Sequence, residues 1–176
     1  MSISETEIID KMQSSPQQGM KLLMDAYQER LYWHIRRLVV SHDDAQDLLQ
    51  EVFLKVYRSF DTFKRESTLY SWLYRVATNI TLSFLRTKKQ EMGSLDHVKG
   101  VEADSYFEFT DEEVVALQEA IQSLPPKQQA VFNLRYYDEL SFKEIAEING
   151  TTENSAKANF HFAKTKIIEQ MKARSF

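Results

Sequence analysis

The segment from Asp44 to Phe60 carries an uninterrupted helical pattern of apolar residues, and this pattern restricts the possible folds more than any other feature of the chain. Its apolar positions are Ala45, Leu48, Leu49, Val52, Phe53, Val56, Tyr57 and Phe60. Spacings of three and four residues place these side chains on one side of an α-helix, which predicts a buried stripe. The opposite side carries Asp47, Gln50, Glu51, Leu54 and Arg58. An exposed leucine among polar side chains is either an ordinary surface residue or the centre of a binding surface for a partner.

The composition favours a helical and soluble protein. The chain has 176 residues, 43% of them hydrophobic, and only four glycines and three prolines, which is typical of long helices. It has no cysteine, so disulfides and thiolate metal sites are excluded. No stretch approaches the roughly 18 apolar residues of a membrane span, and the first residues lack the layout of a signal peptide. We therefore expect a cytoplasmic protein with no membrane insertion.

The net charge of −4 comes from one segment. Residues 91–113 hold eight acidic side chains and one lysine, whereas the chain on either side of them is slightly basic. Two long runs contain no acid, one between Glu66 and Glu91 and one between Glu153 and Glu169. Such local basic faces matter more to a phosphate backbone than net charge does. The acidic segment would repel DNA, so it either covers a basic face of the free protein or is a solvated tether.

The other periodic segments also predict helices. They cover residues 3–14, 16–40, 69–89, 110–124, 126–137, 142–149 and 152–171. Ser41 is placed to cap the helix that contains Asp44. Residues 61–68 break the period and indicate a loop, and residues 90–110 show no sustained period. The sequence therefore predicts an all-α fold of two small helical domains, 1–90 and 111–176, joined by an acidic linker over 91–110.

Basic and aromatic residues alternate along the predicted helix over 69–89. Arg75, Asn79 and Arg86 share one face, and Lys88 and Lys89 follow at its end. Nearby aromatic residues are Phe60, Phe63, Tyr70, Trp72 and Tyr74. Rings that stack on bases beside cations that follow phosphates are typical of single-stranded nucleic-acid binding. The alternative is that most of these aromatic side chains belong to the core.

The C-terminal region has the pattern of a helix-turn-helix. Ser141 and Glu144 form a capping box, a short helix reaches Asn149, and Gly150 supplies a turn before a basic helix capped by Thr152. In that second helix Ala156, Phe160, Ala163 and Ile167 are expected to face inward. Asn154, Lys157, Ala158 and His161 then project outward near the helix N-terminus, where such helices reach base edges in the major groove. His161 and Lys164 lie a turn further on and are expected to meet phosphate.

Nothing in the sequence indicates an enzyme. GxGxxG, P-loop, HExxH and GxSxG motifs are absent. The four histidines have no metal-binding spacing, and His34 is expected at a helix surface or boundary. We therefore expect no catalytic residues, metal or cofactor.

Three ordered blocks resemble the sigma-70 family of RNA polymerase sigma factors. DAQDLLQEVFLKVY (44–57) is similar to the signature D-A-E-D-L-x-Q-E-x-F-L, and SWLYRVATNITLSFLRTKKQ (71–90) is similar to the segment that follows it. LPPKQQAVFNLRYYDELSFKEIAEINGTTENSAKANFHFAK (124–164) resembles the promoter-reading domain. Two domains and a short linker resemble the extracytoplasmic-function (ECF) group.

This resemblance implies a dissociable subunit of bacterial RNA polymerase that directs the core enzyme to promoters. The face of Asp47, Gln50, Glu51 and Leu54 would dock on a coiled coil of the largest polymerase subunit. Asn79 and the loop before Trp72 would capture an extruded base of the −10 element, with Arg75, Arg86, Lys88 and Lys89 following phosphates. The C-terminal domain would read the −35 element. Core RNA polymerase and promoter DNA are the implied partners, and the sequence leaves open whether an anti-sigma factor holds the protein inactive.

Three positions depart from the family pattern. Arginine is frequent where this chain has Asn159 and Phe162, and valine is usual where it has Ala156. Two phosphate contacts are therefore absent, and we expect the isolated C-terminal domain to bind DNA weakly. The competing interpretations are a helix-turn-helix transcriptional regulator with an N-terminal helical interaction domain, and a helical adaptor that binds only protein.

Overall fold

The structure is a computed structural model that describes residues 2–91 and 112–174. Within those ranges the regular elements are all helical, as predicted. They are α1 (Glu5–Ser14), α2 (Pro16–Val39), α3 (His42–Ser59), a 3-10 turn (Phe60–Thr62), α4 (Leu69–Glu91), α5 (Glu112–Gln122), α6 (Pro126–Tyr136), α7 (Phe142–Asn149) and α8 (Glu153–Ala173). The predicted linker, from residue 92 onward, lies outside the described residues. None of the described helices combines the length and the apolar character that crossing a bilayer requires.

Local capping chemistry sets the helix ends. The Ser41 hydroxyl accepts a hydrogen bond from the Asp44 backbone N–H at 3.3 Å, which starts α3 as predicted. Ser141 and Glu144 form the predicted capping box at the start of α7. Gly150 ends α7 in the left-handed region with φ of 64°, a conformation that only glycine adopts without strain.

The first core lies between α1, α2, α3 and α4. It contains most of the α3 stripe, together with the fully buried Leu23, Leu31 and Ile35 of α2 and Leu69 and Leu73 of α4. The α3 stripe is narrower than its sequence pattern predicts, because Leu49 is half-buried and Tyr57 is 49% exposed. Tyr57 lies about 100° from the centre of the stripe at 100° per residue, so its ring reaches the polar side of the helix.

A smaller core joins α5, α6 and α8. Its buried members are Ala120, Ile121, Leu124, Phe132, Ala163 and Ile167. The second helix of the helix-turn-helix therefore rests on α5 and α6 through Ala163 and Ile167, while Ala156 packs at the crossing with α7. Phe160 completes the contact, its ring 5.8 Å from that of Phe132. The predicted inward face of α8 is confirmed.

Helix α4 is buried on a second face that the sequence pattern did not reveal. Ser71, Tyr74, Thr78 and Thr81 are all buried, although three of them are short polar residues. α4 packs against α6 and α7 as well as against α2 and α3, and on this face Thr78 pairs with His34 and the Tyr74 hydroxyl donates to the Arg30 carbonyl of α2. Ile145, Ile148 and Leu134 consequently join the same hydrophobic cluster as the N-terminal helices. The two sets of helices pack against each other through this continuous cluster.

His34 is fully buried, which corrects the expectation of a surface or boundary position. Its Nε2 atom lies 2.8 Å from the Thr78 hydroxyl, and its ring is 4.8 Å from the ring of Tyr74. Burial, with a smaller contribution from Arg37, lowers the pKa of His34 to about 3. The imidazole is therefore neutral in the folded protein.

We expect His34 to make the protein less stable in mild acid. The unfolded chain takes up a proton below the ordinary histidine pKa, whereas folded His34 does so only near pH 3. The stabilisation is complete above about pH 6.5 and is lost as the pH falls, by about 1.4 kcal/mol per pH unit. Urea unfolding at pH 7 and pH 5 should show a smaller difference for His34→Gln than for wild type. His161→Gln, at an exposed site, is the control, and equal differences in all three proteins would contradict the prediction.

Candidate nucleic-acid and partner interfaces

The polar face of α3 is exposed, as predicted. Asp47, Gln50, Glu51 and Leu54 all face solvent, and Leu54 is 55% exposed. Tyr57 lies one turn from Leu54 on the same side, so the two form an apolar pair beside carboxylates. Sequence reasoning missed Tyr57 because its position at the edge of the stripe fits burial and exposure equally well. An exposed apolar pair bordered by acids is a surface suited to a protein partner with basic residues.

The predicted nucleic-acid face of α4 presents its amide and its cations to solvent. Arg75, Asn79, Arg86, Lys88 and Lys89 are all exposed. Two of the cations have partners on the protein surface: Lys88 pairs with Asp44 at 3.2 Å, and Arg86 donates to the Ser83 hydroxyl at 3.1 Å. Surface pairs of this kind are weak, so a phosphate can replace them. The face can therefore bind a nucleic-acid backbone.

Asn79 lies on the ridge between two grooves. One groove runs between α3 and α4 and includes Glu51 and Leu54. The other runs between α4 and the C-terminal helices and includes Arg86, Lys127 and Asn159. Lys127, which follows the proline pair that starts α6, is a cation in this groove that sequence reasoning did not single out. The structure thus brings Asn79 close to both the predicted partner face and the C-terminal helices.

Polar contacts hold the C-terminal helices against α2 and α4. Arg37 Nη1 lies 3.8 Å from Asp138 Oδ1, and the Arg37 guanidinium lies 4.5 Å from the centre of the Tyr137 ring. Gln129 Nε2 donates to the Arg37 carbonyl at 3.0 Å. Burial raises the pKa of Asp138, and Arg37 opposes this effect. These polar contacts therefore add to the hydrophobic cluster that joins the C-terminal helices to the N-terminal ones.

The predicted outward face of α8 is exposed to solvent. Asn154, Lys157, Ala158, His161 and Lys164 are all exposed. Lys157 Nζ lies 3.4 Å from Glu153 Oε1 in an exposed pair that a base edge can displace. Phe162 is 57% exposed, whereas Asn159 is half-buried and faces the groove beside α4. The helix can thus present a row of donors to a major groove.

Two family models match the chain, one in each set of helices. Residues 23–91 match sigma-70 region 2, and residues 115–167 match sigma-70 region 4, which together make up more than two thirds of the chain. The region 2 match contains the α3 and α4 faces, and the region 4 match contains the helix-turn-helix. The chain therefore belongs to the sigma-70 family of RNA polymerase sigma factors.

Individual relatives narrow the group. The chain is 28% identical to the ECF RNA polymerase sigma factor SigW of Bacillus subtilis, over 93% of this chain and 95% of that protein. It is 29% identical to the ECF RNA polymerase sigma-E factor of Escherichia coli K12, over 94% of this chain and 93% of that protein. The fold resembles that of the sigma factor RpoE of Bartonella quintana, solved in complex with the anti-sigma factor NepR, with a TM-score of 0.68, 22% identity and coverage of 88% and 98%. The protein is thus a sigma factor of the ECF group.

Proposed function

We propose that this sigma factor divides promoter recognition between its two helical regions. Residues 1–90 bind core RNA polymerase through Asp47, Gln50, Glu51 and Leu54, and bind the melted −10 element through α4. Residues 111–176 read the −35 element through α8, and residues 91–110 join the two. The polymerase supplies the chemistry, so the sigma factor needs no catalytic group of its own, and it acts in the cytoplasm with the polymerase.

The observation that carries this proposal is the separation of three exposed surfaces on three different helices. An acidic face with an apolar centre lies on α3, a face of amide and cations lies on α4, and a row of donors lies on α8. The α3 face suits a protein partner, the α4 face suits an unpaired strand, and the α8 face suits the groove of a duplex. An anti-sigma factor is a further proposed partner, since the similar RpoE was solved with one.

Promoter binding requires the two regions to separate. The −10 and −35 elements lie about 25 base pairs apart, which is about 85 Å of B-DNA at 3.4 Å per base pair. In the free protein Asn79 of α4 and Asn159 of α8 line the same groove. One groove cannot hold both elements, so this arrangement represents the protein before it engages a promoter. The polar contacts of Arg37 and Asp138 suit an interface that opens, because water can solvate both groups after separation.

Reconstitution with core polymerase tests the function. The protein is mixed with core enzyme and a template library in which the −10 and −35 positions are randomised, and the transcripts are sequenced. We expect initiation from a defined promoter subset only when both the sigma factor and core are present. A helix-turn-helix regulator would bind a DNA sequence without core, and a protein-binding adaptor would select no sequence. Either result would contradict the proposal.

We expect Lys157→Ala to relax the base preference at one or two −35 positions. Lys157 lies in the first turns of α8, where a donor reaches a base edge, and a lost base contact lowers discrimination by about 1–3 kcal/mol. Lys164→Ala is the matched variant, about two turns further along α8. This change should weaken binding to all −35 sequences equally, and it should reduce the slope of log affinity against log salt concentration by about one unit. Transcription from single-base −35 variants measures both, and a uniform loss with Lys157→Ala would show that it contacts only phosphate.

A further inference from the structure

The carboxylate of Glu5, at the start of α1, caps a helix that begins 64 residues later in the chain. Glu5 Oε2 accepts a hydrogen bond from the Leu69 backbone N–H, and Oε1 accepts one from the Tyr70 backbone N–H, both at 3.1 Å. The hydroxyl of Thr68 accepts the Ser71 N–H at 3.1 Å. The first three amides of α4 are thereby satisfied, and two of them depend on Glu5.

Packing holds Glu5 firmly in this position. Ile8, Ile9 and Met12 bury one side of α1 against the N-terminal core. The Tyr27 hydroxyl donates to Glu5 Oε1 at 3.3 Å, and burial together with the neighbouring Glu5 raises the pKa of Tyr27 to about 12. A half-buried carboxylate with three donors in a packed setting has little freedom to move.

The segment that Glu5 braces is the loop before α4. At one end of this loop Phe63 packs on Trp72, with ring centres 5.2 Å apart. In its middle, Arg65 has a positive φ of 57° and pairs with Asp10 of α1 at 3.4 Å. At its other end lie the Leu69 and Tyr70 amides, which donate hydrogen bonds to Glu5. Helix α1 therefore contacts the middle of the loop and its junction with α4, while aromatic packing holds the beginning.

We propose that Glu5 is a positioning residue for strand opening. By fixing the start of α4 and the loop before it, Glu5 sets the geometry in which this part of the protein receives an unpaired base of the −10 element. The inference rests on the proposed function of α4 and its preceding loop. Residues 5–14 lie outside the region 2 match over 23–91, so the family match does not assign them this role. Removal of the cap should let the loop shift without separating the core-binding face of α3 from its support.

The test uses holoenzyme assembled with Glu5→Gln, Glu7→Gln or Asn79→Ala on a promoter selected by the wild-type holoenzyme. Glutamine keeps the volume of Glu5 but replaces one acceptor oxygen with a donor. Glu7→Gln is the matched control, since among the described residues the Glu7 carboxylate bonds only Ser4 on its own helix end. Core affinity, permanganate reactivity of the melted strand and base preference across the −10 positions are measured, with circular dichroism to establish folding.

We expect Glu5→Gln to bind core within about twofold of wild type, and to reduce permanganate reactivity about fivefold with weakened −10 discrimination, as for loss of a charged helix cap. Glu7→Gln should resemble wild type in every readout. If Glu5→Gln opens the strands as the wild type does while Asn79→Ala is defective, this inference is overturned and the proposed function stays intact. Wild-type opening by both variants would overturn the proposed function of α4. Equal losses of core binding and opening, or the same losses in Glu7→Gln, would show that Glu5 only stabilises the fold.

Discussion

Replacement of Gly19 by alanine is expected to lower the free energy of unfolding by about 3 kcal/mol, the upper range for an overpacked core. Gly19 is where α2 crosses α1, and a Cβ atom there would lie 2.4 Å from the Met12 backbone nitrogen and 2.5 Å from its Cα. Both contacts are with backbone, so no side chain can rotate away, and α1 must shift. The buried side chains of Ile8, Ile9 and Met12 would move with it.

The sign of this change makes the measurement decisive. In an unobstructed helix, glycine to alanine is stabilising by about 1 kcal/mol. Urea denaturation of Gly19→Ala is compared with that of Gln18→Ala, an exposed neighbour on the same helix that should change by less than about 0.5 kcal/mol. Hydrogen exchange should also rise in α1. It should rise at the Leu69 and Tyr70 amides as well, because both amides donate to Glu5 of that helix. Unchanged or increased stability would mean that α1 does not pack as closely as the structure shows.

Leu54→Asp is expected to weaken binding to core RNA polymerase about 100-fold, the effect of losing a central hot-spot side chain worth near 3 kcal/mol. The change adds a charge to a face that already carries Asp47 and Glu51, in the middle of the proposed contact. Because Leu54 is 55% exposed in the free protein, the free energy of unfolding should change little. Glu51→Arg should act in the same direction by reversing a charge at the same surface.

Met24→Asp provides the matched control for Leu54→Asp. Met24 is an exposed apolar residue on α2, a different helix from the one that carries the proposed contact. Its substitution places the same charged group on the same region of the protein without touching the proposed contact. Fluorescence anisotropy of the labelled sigma factor titrated with core enzyme measures all three affinities. Wild-type affinity in both Leu54→Asp and Glu51→Arg would remove the α3 face from the core-binding surface.

Local sequence was sufficient for the helices and for the exposure of the residues on the three surfaces. The caps at Ser41 and Ser141 and the turn at Gly150 act through neighbours only a few residues away, so their chemistry is visible in a short window. Segregation of α3 and α8 into inward and outward faces follows from 3.6 residues per turn. The exposure of Leu54 and the inward position of Ala163 could therefore be predicted without coordinates.

The contacts between distant segments could not be predicted in this way. Thr78 and His34 carry polar side chains and look like surface residues, yet both are buried, and the His34 Nε2 atom pairs with the Thr78 hydroxyl across 44 residues of sequence. Tyr57 is a second example, because it lies at the edge of the stripe and the packing of the neighbouring helices decides whether its side chain is exposed. The functional roles of the α3, α4 and α8 residues remain predictions that the proposed experiments address.

By itself, the sequence determined an all-helical fold with a helix-turn-helix and two segregated helix faces, because each of these depends on spacing within one segment, and the sigma-70 family followed from the resemblance of three ordered blocks. The tertiary structure decided that the C-terminal helices cover one face of α4 and that Glu5 caps the start of the same helix. Both depend on complementary groups that are far apart in sequence. A periodic pattern shows that a face will be buried, but only packing determines which partner buries it.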